Sequence, residues 1–205
     1  MIRTIIYIIL SIITIGGIIT YFHLYRVSQN NKKEMQQYLN KIENKISLGK
    51  VLVIYYSLSG NTEKIAKEIA QQTSADIFKI ETIKKYSTPS VYVKSKQELS
   101  TKEYPSLQEK PLDLSQYDTI FVGGPVWWYT MAPPLFSFLK QTDFQGKNVV
   151  PFSTQGSNYG KFFIDFANIV QNANIKTAEN FNNLSSEYDE AVKNKITTWL
   201  NNLSN

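Results

Sequence analysis

The residues best suited to chemistry lie in a short polar segment that directly follows an apolar run at 51–56. This segment supplies hydroxyls, an amide and exposed backbone N–H groups from Ser57, Leu58, Ser59, Gly60, Asn61 and Thr62. A helical pattern begins immediately afterwards, and free N–H groups at the positive end of a helix bind anions. The segment therefore predicts a phosphate cradle. An ordinary helix start capped by Asn61 or Thr62 is the alternative interpretation.

The cradle favours a monophosphate over a nucleotide polyphosphate. Its side chains are uncharged, and the sequence contains neither GxxxxGK[ST] nor GxGxxG, the patterns of polyphosphate and dinucleotide sites. Hydrogen bonds and the helix N-terminus would have to hold the phosphate.

A second segment, after an apolar run at 119–123, is rich in aromatic side chains. It consists of Pro125, Val126, Trp127, Trp128 and Tyr129. Large rings usually prefer the core, so two tryptophans at a strand end near solvent suggest stacking on a planar ligand. We expect at least one of the two tryptophans to be structural.

A third segment follows the apolar run at 149–152 and could close over the same ligand. Its residues are Thr154, Gln155, Gly156 and Ser157. The same residue types also build ordinary turns, so this segment alone is a weak indicator.

The composition restricts the chemistry to that of a cofactor. The chain has no cysteine and one histidine, His23, which excludes thiolate metal sites, Fe–S clusters and histidine-based triads. We predict no catalytic side chain and no metal ligand. Residues 1–46 carry most of the +5 net charge, so the remaining chain is nearly neutral and no nucleic-acid partner is expected.

The elements around these segments alternate between strands and helices. Strands are predicted at 51–56, 77–80, 119–123, 149–152 and 175–181, and helices after residue 61 and at 134–140, 162–170 and 187–203. Residues 82–116 form a polar excursion with a short helix within 91–102. The alternation predicts a doubly wound parallel sheet with helices on both faces, and ligands of such sheets bind at the carboxyl ends of the strands.

The N-terminal segment predicts a single membrane span. Residues 4–25 contain no Asp, Glu, Lys or Arg and match the about 20 residues that a spanning helix needs. We interpret 1–27 as a retained anchor rather than a cleaved signal, 28–48 as a polar helical stalk and 49–205 as the globular domain. The stalk has an apolar stripe at helical spacing, made of Met35, Tyr38, Leu39, Ile42 and Ile46. This stripe could pack on the domain, on a second copy or on the membrane surface. Cations after the span place that domain in the cytoplasm, and an extracytoplasmic domain is the alternative.

The three loops together resemble those of the flavodoxins. The resemblance rests on S-L-S-G-N-T, G-G-P-V-W-W-Y and S-T-Q-G-S, each after a predicted strand, and covers residues 49–204. It is closest to the branch with a Pro-x-Trp-Trp second loop, although Tyr129 stands where many relatives have glycine. It implies a flavodoxin-like three-layer α/β/α fold with a five-stranded sheet.

The resemblance also implies FMN as cofactor. Residues 57–62 would surround its phosphate, 125–129 would line the isoalloxazine, and 154–157 would complete the pyrimidine or ribityl side. The expected function is electron transfer between redox donor and acceptor proteins at a cell membrane. An FMN-dependent NAD(P)H or quinone oxidoreductase and a non-catalytic FMN-binding module are the alternatives.

Overall fold

The structure, a computed structural model, describes residues 2–40, 42–43, 46–87, 89–108 and 112–204. The gaps include Lys41 and Lys45 of the predicted stalk and 109–111 of the predicted excursion. All other predicted elements lie within the described residues.

The centre of the domain is a parallel sheet whose strands follow the order 76–79, 51–55, 119–127, 148–155 and 174–175. Hydrophobic strand formers at 51–55, 119–123 and 149–152 fill its interior and are buried on both faces, as parallel strands require. The strands are β1 (Val51–Tyr55), β2 (Asp76–Lys79), β3 (Thr119–Trp127), β4 (Thr130–Met131), β5 (Asn148–Gln155), β6 (Asn174–Ile175) and β7 (Glu179–Asn182).

Helices cover both faces of this sheet. They are α2 (Asn61–Thr73), α3 (Val91–Thr101), α4 (Pro133–Gln141), α5 (Phe162–Ile169) and α6 (Asp189–Leu203), and α1 (Ile2–Gln36) precedes the sheet. One core contains Leu52 and Ile54 of β1 with residues of α4 and α5. The other contains Val51 and Val53 with residues of α2 and α6. This arrangement confirms the predicted flavodoxin-like α/β fold.

Two strands differ from the sequence prediction. The strand predicted at 175–181 is split into β6 and β7, which pair with successive parts of β5. Strand β3 does not end at Gly123 but continues to Trp127, because residues 123–125 pair with 152–154 of β5. The sheet therefore extends into the segments that we predicted to be second and third loops.

Helix α1 is one continuous helix of 35 residues that begins in the apolar N-terminal segment. Its apolar side chains between Ile5 and Tyr25 are exposed, and its length and composition suffice to cross a membrane. No packing within the described chain explains this apolar surface.

The C-terminal end of α1 packs on the globular domain. Met35 is buried, Asn182 Nδ2 donates a hydrogen bond to Asn31 Oδ1 at 2.7 Å, and Lys195 Nζ lies 2.6 Å from Glu34 Oε1. Of the three surroundings left open for the stalk, namely the domain, a second copy and the membrane surface, the structure shows the domain.

The predicted stalk helix over 28–48 is wrong beyond residue 36. Residues 37–38 form a turn, the other described residues there are irregular, and backbone carbonyls of Tyr38 and Glu43 accept hydrogen bonds from Asn194 and Asn201 of α6 instead of from helix N–H groups. Leu39, which the helical stripe would have placed beside Met35, is exposed. These side-chain bonds replace those of a continued helix.

We predict that Met35→Ala destabilises the fragment 28–205 by about 2–5 kcal/mol, the usual cost of truncating a buried methionine. Urea unfolding followed by circular dichroism measures this change. The matched control is Leu39→Ala, for which we expect less than about 0.5 kcal/mol because that side chain is exposed. Equal effects of the two substitutions would show that α1 does not pack on the domain.

Candidate functional site

The predicted phosphate cradle forms the loop between β1 and α2. Gly60 adopts φ +93°, a left-handed conformation that glycine adopts without strain, and its N–H donates to Ser57 Oγ at 3.1 Å. Asn61 Nδ2 donates to Ser59 Oγ at 3.3 Å. The loop therefore turns sharply and directs the chain into α2.

Among the described residues, no side chain caps the N-terminus of α2. This finding corrects the alternative in which Asn61 or Thr62 caps the helix. The hydroxyls of Thr62 and Thr154 instead lie 2.7 Å apart in a buried contact. The unsatisfied N–H groups of the first turn of this 13-residue helix favour an anionic ligand.

Glu63 lies in the first turn of α2, where an unpaired carboxylate would repel an anionic ligand. Its charge is paired with two lysines, which reduces this repulsion. Its carboxylate oxygens lie 2.7 Å from Lys67 Nζ and 3.2 Å from Lys79 Nζ. Hydrogen bonds from Lys67 and Lys79 lower the pKa of Glu63, so the group stays charged but paired.

The aromatic segment is a tight hairpin. Strand β3 turns through Trp128 and Tyr129 into β4, where Trp127 pairs with Thr130. Both turn residues have positive φ, +53° and +61°, a conformation normally taken by glycine or asparagine in this kind of turn. The hairpin is therefore held in a strained conformation at the edge of the site.

Trp127 packs into the domain, as we expected for at least one of the two tryptophans, and it also lines the cavity. Its ring packs edge-on against Tyr86 and Tyr56, with centroid distances of 5.3 and 5.8 Å. Burial raises the pKa of both tyrosines, and for Tyr86 the hydrogen bond to Glu98 raises it further. Both hydroxyls remain protonated near neutral pH, so the layer beneath the hairpin contains no phenolate.

Trp128 has a different environment. It is 45% exposed, and its indole Nε1 donates to Ser95 Oγ at 3.1 Å. Lys96 Nζ lies 5.0 Å from the ring centroid. Ser95 and Lys96 belong to α3, so the excursion at 82–116 provides a partner that orients this ring.

The third segment is the end of β5 rather than a free loop. Gln155 is buried, with its amide Nε2 donating to Asn180 Oδ1 at 2.8 Å and its Oε1 accepting from Ser153 Oγ at 3.0 Å. These bonds fix the side chain, and its backbone carbonyl accepts from Asn183 N at 2.7 Å. Gly156 and Ser157 then begin the turn toward α5.

The three segments border one cavity of about 590 Å³ at the carboxyl edge of the sheet. All the site residues predicted from the sequence line it except Ser57 and Gly60. These two residues are hydrogen-bonded to each other within the first loop. Residues missed by the sequence analysis also line it: Val91, Tyr92, Ser95, Asn158 and Asn183. No sequence pattern pointed to Val91, Tyr92 and Ser95 of α3, because nothing in the segment 82–116 indicates which part of the sheet it packs on.

Comparison with known proteins agrees with this geometry. A family model described as Flavodoxin matches residues 50–203. Flavodoxin 1 of Escherichia coli strain K12 is 30% identical over 118 residues, which cover 55% of this chain and 54% of that protein. The chain thus spans about half the length of the curated relatives it matches.

Two solved structures are similar in fold. A candidate flavoprotein from Bacteroides uniformis is 29% identical, with a TM-score of 0.60 over 76% of this chain and 99% of that one. A flavoprotein from Lactobacillus acidophilus NCFM, solved in complex with FMN, is 23% identical, with a TM-score of 0.59 over 64% and 93% of the two chains.

The strained turn yields a prediction about stability. Tyr129 is mostly exposed, so Tyr129→Gly loses little packing and removes the steric cost of its left-handed conformation. We expect the fragment 28–205 with Tyr129→Gly to exceed the Tyr129→Ala variant in unfolding free energy by about 1 kcal/mol. Both variants lose the phenol, but alanine keeps the Cβ atom that causes the strain. Equal stability in chemical denaturation would contradict this explanation.

Proposed function

The chain belongs to the flavodoxin family, and on that premise we propose that it binds FMN in the cavity at the carboxyl edge and transfers electrons through it at a membrane. The observation that carries the proposal is the uncapped N-terminus of α2, which opens into the same cavity as the aromatic hairpin. A phosphate site and a flat aromatic surface in one cavity suit a ligand with a phosphate at one end and a planar ring at the other.

The described residues fit such a ligand in size and polarity. The cavity lies within the about 300–1,000 Å³ typical of small-molecule sites, and its described lining contains no charged side chain. The α2 N-terminus with Ser59 and Asn61 would hold the phosphate, and Trp128 would face the ring. The Lactobacillus acidophilus flavoprotein, which has the same fold, was solved with FMN.

FMN supplies one- and two-electron redox chemistry when bound. The protein's own contribution is to orient the ring and exclude water from it. Ser95 orients the Trp128 indole through a hydrogen bond. Trp127 packs beneath the hairpin against Tyr56 and Tyr86, which are both protonated. The buried Gln155 amide network keeps the third segment in place behind the cavity.

Electron transfer to and from partners is favoured over a nicotinamide-dependent reaction. A dinucleotide carries two further phosphate charges, and the described lining offers no cation for them. Redox proteins, or a quinone in the membrane, are the partners that this site suits best. A quinone oxidoreductase is the second candidate, because exposed apolar side chains, among them Leu58 and Tyr129, border the cavity.

Helix α1 supports the membrane location. Its apolar residues are exposed over a length that exceeds the hydrocarbon thickness of a bilayer. We propose a single-pass anchor with the domain in the cytoplasm, since Arg26, Lys32 and Lys33 follow the apolar run.

We predict that the full chain binds FMN at least about tenfold more tightly than riboflavin, a difference of 1.4 kcal/mol. Ser59→Ala should weaken FMN binding by about 1–3 kcal/mol and leave riboflavin binding unchanged, because only FMN presents a phosphate. Flavin fluorescence titration measures both affinities.

Two variants control this experiment. Ser100→Ala changes a serine hydroxyl that bonds to Gln97 O on α3, outside the cavity lining, and should alter neither affinity. Trp128→Ala should weaken FMN and riboflavin equally, because both contain the ring. Equal affinities of the unmodified protein for FMN and riboflavin would show that residues 57–62 do not bind a phosphate.

We also predict that the full chain stays in the membrane pellet after alkaline carbonate washing, whereas the fragment 28–205 is recovered in the supernatant. Protease added to intact cells should leave the domain intact and should degrade it only after lysis. Degradation without lysis would place the domain outside the cytoplasm and would require an extracytoplasmic electron donor.

A further inference from the structure

We infer that the mouth of the flavin cavity faces the bilayer into which α1 inserts and that its rim docks on the lipid headgroups. This inference rests on the proposed membrane insertion and concerns the surface through which the proposed flavin site meets its partners.

Contacts between α1 and the carboxyl edge of the sheet support it first. Val27, Asn31 and Glu34 of α1 border a second cavity, of about 260 Å³, together with residues 157–159. Ser157 and Asn158 line the flavin cavity as well, so one loop separates α1 from the proposed cofactor site. Asn182, bonded to Asn31, is the last residue of β7 and marks the carboxyl edge.

The path of the chain after α1 fixes the direction. Helix α6 begins near the carboxyl edge, after β7, and ends near the amino edge. The described residues from Glu34 to Ser47, which lie before β1, run alongside α6 in the same direction. Glu34 pairs with Lys195 in the first half of α6, and Ser47 N donates a hydrogen bond of 3.0 Å to Oγ of Ser204, which directly follows α6. Residues before Glu34 therefore leave the domain on the side where the strands end and the flavin cavity opens.

The distance along α1 places the cavity close to the lipid. Tyr25 ends the apolar run, and at 1.5 Å per residue Val27 lies about 3 Å and Asn31 about 9 Å further along the helix axis. The headgroup region of each leaflet is roughly 5–8 Å thick. The loop at 157–159 borders the same small cavity as Val27 and Glu34, about 3 and 14 Å beyond Tyr25, and thus lies within the headgroup region or directly above it.

The rim has the side-chain chemistry of a membrane interface. Leu58, Trp128, Tyr129 and Tyr159 are exposed around the cavity mouth, and aromatic residues with a polar atom are enriched at headgroup level. Lys161, next to Gly160, is also exposed and can pair with anionic headgroups. In water, these large apolar side chains would all be exposed to solvent.

The absence of cysteine from the chain allows a direct test in the full-length protein. Single cysteines replace Tyr159 and Ile164 near the carboxyl edge, and Gln145 and Asn202 near the amino edge, and each is labelled with a fluorophore. Each variant is reconstituted into lipid nanodiscs whose headgroups carry a nitroxide quencher. We expect quenching at Tyr159→Cys and Ile164→Cys to exceed that at the two amino-edge positions several-fold, and to increase with anionic lipid.

Equal quenching at all four positions would overturn the inference and would leave the rim facing solution, available to a protein partner. The flavin absorbance of the same samples separates this outcome from the proposed cofactor. Selective quenching near the carboxyl edge in a colourless protein would support docking and reject FMN. Uniform quenching in a yellow protein would support FMN and reject docking.

Discussion

The parallel pairing of β3 with β5 is the constraint on which the site depends. It extends over seven residue pairs and continues beyond the buried centre, to Pro125 opposite Thr154. The close approach is possible because Gly123 has no side chain: a Cβ atom there would lie 2.2 Å from the ring of Phe152. Through this pairing the aromatic hairpin and the third segment meet at one edge, and the Thr62–Thr154 contact brings α2 to the same point.

The sequence predicted the elements that have a strong local signal. Continuous apolar runs identified the central strands β1, β3 and β5, and the positions of polar and aromatic residues after them identified most of the cavity lining. It did not predict the extension of β3, because Pro125 and the aromatic residues beyond it suggest a loop and the pairing that orders them comes from β5. The contribution of Ser95 also depends on a long-range contact, since α3 lies far along the chain from Trp128.

The helical stripe at 35–46 shows how a correct periodicity can be overruled. Met35 is buried, as the stripe predicts, but the chain beyond Gln36 gains more from side-chain bonds with α6 than from a further helical turn. Lys195 illustrates the strength of this arrangement, because its ammonium group is buried and lies among Glu34, Glu179 and the carbonyl of Asn180. A buried ammonium group requires such partners, and without α1 it would keep only Glu179 and the Asn180 carbonyl of these three.

The helical continuity of α1 restricts how the domain can search for a partner. Between Tyr25 and Gln36 the chain rises about 16 Å as helix, and its last turns are fastened to the domain. A flexible tether would let the domain sample a wide shell of heights, whereas this support holds it at one height and one orientation. In the membrane orientation proposed above, encounters would depend on lateral diffusion in two dimensions, and a redox partner would be selected by its position in the plane and by the height of its own redox centre.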